Sequence, residues 1–80
     1  MSEVTVTLED YGKAHLALEL VDPGDEGDVE VWHGIFSEEE DASETLWEVY
    51  FEMDPSTDYD KFDLISEAIY TYKLETEIIQ

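Results

Sequence analysis

The sequence predicts an α+β domain: an antiparallel β-sheet of about four strands with a C-terminal α-helix packed on one face. Two observations carry this. Apolar residues alternate with polar ones in several short stretches over the first two thirds of the chain, and after Asp58 the apolar period changes to that of a helix.

Val4, Val6 and Leu8 alternate with Glu3, Thr5, Thr7 and Glu9, which predicts a strand with one wet face. Asp10-Tyr11-Gly12-Lys13 reads as a turn, and Leu16, Leu18 and Leu20 alternate with His15, Ala17 and Glu19 in a second strand. Asp22-Pro23-Gly24-Asp25-Glu26-Gly27 places proline before glycine, a turn signal. Val29, Val31, His33 and Ile35 then alternate with Glu30, Trp32, Gly34 and Phe36, a third strand forming a hairpin with the second. Gly34 within it marks a bulge or a site of close packing. Ser37 to Glu44 reads as an acidic loop, and Trp47, Val49, Phe51 and Met53 alternate with Leu46, Glu48, Tyr50 and Glu52 in a fourth strand. Phe62, Ile65, Ile69 and Tyr72 recur at helical spacing and predict a helix over about 58–72. Ser56 or Asp58 would cap it, and Phe62, Ile65 and Ile69 would meet the sheet. Leu74 to Ile79 either prolongs this helix or forms a last strand.

A chain of 80 residues allows one domain, residues 1–80, with a thin core. Two tryptophans, five tyrosines and three phenylalanines supply large buried surfaces to it, and Trp47 is assigned to the interior. Cysteine is absent, which removes disulfides and thiolate chemistry and agrees with a reducing cytoplasm. No apolar run approaches the roughly 20 residues that span a bilayer, and Met1-Ser2-Glu3-Val4 does not open a secretory signal. The expected location is the cytoplasm.

Charge is the dominant feature. Asp and Glu number 23 against three lysines and no arginine, for a net charge of −20. Small soluble domains commonly carry a magnitude of about 2–8. Three lysines cannot form a phosphate-binding footprint, so direct binding of nucleic acid is not expected, nor is binding to an anionic membrane.

No catalytic, metal or cofactor site is expected. His15 and His33 lie in strands that pair as a hairpin and would hold zinc if brought together with a carboxylate. Asp54-Pro55-Ser56-Thr57-Asp58-Tyr59-Asp60 offers oxygens at alternate positions but has neither the glycine nor the distal glutamate of a calcium-binding loop. With so many carboxylates, pairs at general acid–base spacing arise by chance.

The placement of the acids is more informative. Alternate residues of a strand stand about 6.6 Å apart, close to the separation of phosphates along a nucleic-acid strand. Asp28 and Glu30 make such a pair, and Glu48 and Glu52 stand two steps apart with Tyr50 between them. Asp60, Asp63 and Glu67 form a stripe on the predicted helix. Glu38-Glu39-Glu40-Asp41 and Asp22, Asp25, Glu26 and Asp28 add acidic loops at opposite edges. An ordinary solvated surface mixes both signs of charge.

In size, charge and aromatic content the chain resembles the class of phage-encoded DNA-mimic inhibitors, which includes anti-restriction and anti-CRISPR proteins. The resemblance implies an inhibitor that blocks nucleic-acid binding by a host defence complex. The expected partner is a basic nucleic-acid-binding protein or ribonucleoprotein complex. Glu38, Glu39, Glu40, Asp41, Asp58, Asp60, Asp63 and Glu67 are the expected contacts, with Trp32 or Tyr50 as an exposed aromatic anchor. Alternatives are a halophilic domain whose acids hold hydration in high salt, and an immunity protein or antitoxin against a basic nuclease. A homodimer through an exposed edge, the first or fourth strand, remains open.

Overall fold

The computed structural model describes residues 2–25 and 28–77. Four strands form one antiparallel sheet in the order β1-β2-β3-β4: β1 (Ser2–Leu8), β2 (Gly12–Asp22), β3 (Glu30–Glu38) and β4 (Thr45–Met53). Helix α1 (Lys61–Glu77) follows and packs on one face. The meander and its helix are those the periodicities predict.

The register makes two ends. Leu8 pairs with Gly12, Ala14 with Glu38 and Ser37 with Thr45, so the β1–β2 turn and the β3–β4 loop share a first end. The β2–β3 turn and the β4–α1 connection share the opposite end, because Asp22 pairs with Val31 and Glu30 with Met53.

Alternation decides the core. Val6, Leu8, Ala14, Leu16, Leu18, Phe36, Val49 and Phe51 point to the helix side and are buried. They meet Leu64, Ala68 and Tyr72, with Ile65 and Ile69 packed alongside. The packing is tight at Gly34. A Cβ there would stand 3.1 Å from Val49 Cγ2 and 3.5 Å from Ala68 Cβ, so it would crowd the Val49 side chain and touch the helix. Gly34 therefore marks close packing. The register irregularities fall elsewhere, between Leu20 and Asp22 and between Phe36 and Ser37.

Several expectations are corrected. Phe62 does not enter the core; it is 75% exposed, because the buried ribbon runs Leu64, Ala68, Tyr72, and Phe62 precedes it by two residues, on another side of the helix. Trp47 faces the helix side but lies at the rim, 39% exposed, where its Nε1 donates to Glu75 Oε1 at 3.0 Å and its ring meets Tyr72 edge-on. The helix starts at Lys61, not near 58, and its cap is neither Ser56 nor Asp58. Asp60 Oδ1 accepts from the Asp63 N–H at 3.1 Å, while Asp63 Oδ2 accepts from the Asp60 N–H at 3.0 Å. This is a reciprocal capping box built from two aspartates. Of the two alternatives for Leu74 to Ile79, the structure shows the first as far as it describes the chain, with the helix continuing through Glu77; Ile78 and Ile79 lie outside the described residues. Strand β3 runs to Glu38, two residues into the stretch expected to be loop.

Candidate functional site

The eight acids singled out above do not form one surface. The structure divides them between the two ends of the sheet, separated by the length of β3, about 26 Å at 3.3 Å per residue.

Glu38, Glu39 and Glu40 stand exposed at the first end, around a shallow groove of about 220 Å³ shared with Tyr11 and Lys13. The β3–β4 loop holds them there through Glu38 N–H to Glu44 C=O (3.2 Å) and Glu44 N–H to Asp41 C=O (3.0 Å). Asp41 is engaged in that loop, accepting from the Ser43 hydroxyl at 2.5 Å and the Ser43 N–H at 3.2 Å. Tyr11 reports the local field: lost hydration first, then the charges of Glu38 and Glu40, hold its phenol above its usual pKa.

Asp58, Asp63 and Glu67 line a groove of about 320 Å³ at the opposite end, with Met53, Thr57, Tyr59 and Ser66. Asp60 and Asp63 are committed to the helix cap. The preceding turn is set by Asp54, which accepts from the Ser56 hydroxyl (2.7 Å) and N–H (2.9 Å), and those bonds pull its carboxyl below the ordinary range. Tyr59 anchors the segment to the sheet by donating to Glu30. That bond first, then burial, raises its pKa against an opposing effect of the Trp32 indole.

The Asp28–Glu30 pair does not stand at exposed strand spacing. Asp28 precedes β3 and donates its N–H to Asp25 C=O at 2.9 Å, while Glu30 is half-buried and held by Tyr59. Glu48, Tyr50 and Glu52 do alternate along β4 on the face the helix leaves open.

That open face also holds both histidines. His33 Nε2 lies 2.9 Å from Glu48 Oε1, and its ring stacks on Tyr50 at 4.5 Å and 6°. His15 Nε2 lies 3.5 Å from Glu3 Oε1. Strands β2 and β3 pair as expected, yet His15 stands opposite Ser37 and His33 opposite Glu19. The two are four rungs apart, about 13 Å, and share no site. Among the described residues no group of three or more His, Cys, Asp or Glu is placed to hold a metal ion.

Of the two anchor aromatics, Tyr50 is 60% exposed, whereas Trp32 is half-buried with its indole nitrogen enclosed. Sequence reasoning missed a further feature, a groove of about 510 Å³ where the helix flank meets the β4 edge. Tyr70 and Leu74, one helical turn apart and both exposed, were the signal for it.

Positive charge is sparse throughout. Among the described residues, Lys73 to Glu9 at 3.3 Å is the one lysine–carboxylate pair. No described helix is long and apolar enough to cross a membrane. The chain matches no protein-family model, and no curated protein or solved structure is significantly similar to it.

Proposed function

We propose that this chain is a non-enzymatic nucleic-acid mimic, an inhibitor that occupies the basic DNA- or RNA-binding groove of a host defence complex, of anti-CRISPR or anti-restriction type, by charge complementarity. The reading places it in the cytoplasm, where such complexes meet foreign nucleic acid.

One observation carries the proposal: the density of charge. The molecule bears a net −20 on a body 38 Å long. Duplex DNA carries one negative charge per about 1.7 Å of axis, so an equal length holds about 22. The protein therefore presents nearly the charge of one turn of duplex. Both ends and the open sheet face carry carboxylates, and the fold holds them on strands, caps and hydrogen-bonded turns. Backbone segments held in this way lose little entropy on docking. The carboxylates they carry gain from counterion release at the partner's groove and from steered association.

The same surplus suits a protein adapted to high salt, and the two readings part on one property. A mimic folds at low ionic strength and there binds its partner most tightly; a salt-adapted domain unfolds there. The test is competition. A basic partner held by the immobilised protein should be released by duplex DNA at constant ionic strength. Polyglutamate of equal charge concentration should release it less well. Equal release by both polymers would remove mimicry and leave simple charge attraction.

A further inference from the structure

Two strands of the sheet have a free edge, and they are not alike. Neither contains proline or lysine, the residues that commonly blunt an exposed edge, but β4 runs nine residues, Thr45–Met53, against seven in β1. Beside β4 lies the groove of about 510 Å³, walled on the sheet by Tyr50, Phe51 and Glu52 and on the helix by Glu67, Tyr70 and Leu74. Three of its apolar walls, Tyr50, Tyr70 and Leu74, are exposed large side chains gathered around one groove.

We infer that the β4 edge and this groove form a docking site for an extended strand of a basic partner, which adds to the sheet antiparallel or parallel as a fifth strand. The inference goes beyond the mimicry reading, since such a partner need not bind nucleic acid; the two share only the positive charge of the occupant.

The site specifies the strand. Backbone groups on the free side of β4 supply the ladder, as in other cases of strand addition. Side chains of an added strand point alternately to the two faces. Those on the helix side enter the space beside Phe51, Tyr70 and Leu74, where apolar side chains are favoured, with Glu67 and Thr71 also on that wall. Those on the open face stand beside Glu48, Tyr50 and Glu52, where lysine or arginine is favoured. The occupant thus alternates apolar and basic residues.

Charge also argues against a second copy of this chain. Antiparallel pairing of β4 with itself about Tyr50 sets Glu48 of each copy against Glu52 of the other, and like charges directly opposite destabilise a sheet. Each copy also brings a net −20.

The experiment uses the full chain and two blocked ten-residue peptides of equal composition, one alternating lysine and valine, the other with its lysines and valines in separate blocks. Amide hydrogen exchange should slow in β4, and not in β1, when the alternating peptide is added, and the block peptide should bind at least about 10-fold more weakly. Glu52→Lys, and separately Tyr70→Ser with Leu74→Ser, should each weaken the alternating peptide about 10-fold, whereas Glu3→Lys, the same charge change at the β1 edge, should change it less than about 3-fold. All four substituted residues are exposed, and exchange in the unsubstituted chain tests the site without any variant. Equal binding of the two peptides, protection of β1 in place of β4, or a dimer that protects β4 before peptide is added would each overturn the inference. Mimicry is untouched by these outcomes and stands or falls on displacement by DNA.

Discussion

The Tyr72 hydroxyl lies 2.9 Å from both oxygens of Asp10 and donates to that carboxylate, joining the fourth turn of the helix to the first hairpin across 62 residues of sequence. Lys73 to Glu9 runs beside it. Tyr72 is buried against Phe36 and Trp47, so a single ring closes the core at the first end and carries the polar tie.

This tie sets an alkaline limit. Burial first, and then the bond to Asp10, push the Tyr72 phenol from 10.0 up to about 12. The folded state holds this proton more tightly than the unfolded state does. The stabilisation is complete below pH 10 and is lost as pH rises through about 12. Tyr72→Phe should cost about 1 kcal/mol at neutral pH and flatten the loss of stability between those limits. Urea unfolding at a series of pH values checks both effects.

Gly34 lies beneath Ala68 of the helix, with Val49 beside it. Gly34→Ala should destabilise by about 1 kcal/mol, because the new methyl meets Val49 Cγ2 at 3.1 Å and that side chain must shift. Gly34→Val should cost more, and Ala68→Leu should resemble it. Thermal melts of the three variants would show the order.

Asp60 and Asp63 hold the start of the helix, so their loss should register in stability before it registers in binding. Asp60→Ala should cost about 1 kcal/mol. Reversal to lysine should cost more, since a cation then meets the positive end of the helix dipole. Charge reversal aimed at a partner therefore belongs at Glu39, Glu40, Asp58 and Glu67, where the described hydrogen bonds assign the carboxylates no part in the fold, whereas Glu38 engages the Tyr11 phenol. Denaturant curves for the two sets should separate cleanly.

Self-repulsion leaves a signature in salt. Between about 0.01 M and 1 M ionic strength the Debye length falls from about 30 Å to 3 Å, which screens repulsion among the 23 acids. The melting temperature should rise across that range, with the chain folded at its low end. Unfolding at about 0.01 M would favour the salt-adapted reading.

Strand alternation made the sheet readable because one face is covered and the other is open, which is the condition that imposes period two. The helix was harder. Its apolar residues form two overlapping ribbons, and Phe62 completes the wrong one. Ala68 is too small to register as a core residue, yet it is fully buried and lies over Gly34. Asp60 reads as an acid favoured at the helix start and Asp63 as part of a surface stripe, though their three-residue spacing before an apolar run is a capping signal. The division of the acids between two ends depends on strand pairing, which periodicity does not encode. The β4 groove depends on Tyr50 and Tyr70, brought together by the packing of the helix beside β4.

If this acidic body stands in for nucleic acid, duplex DNA must displace it from its partner. The immobilised protein is incubated with bacterial lysate at low ionic strength, and a short duplex is then added at constant ionic strength. The expected result is capture of a nucleic-acid-binding complex and its release by the duplex, with Glu39 and Glu40 reversed to lysine weakening capture while the protein stays folded. A folded protein that captures nothing basic, or that holds its partner undisturbed by the duplex, would contradict mimicry.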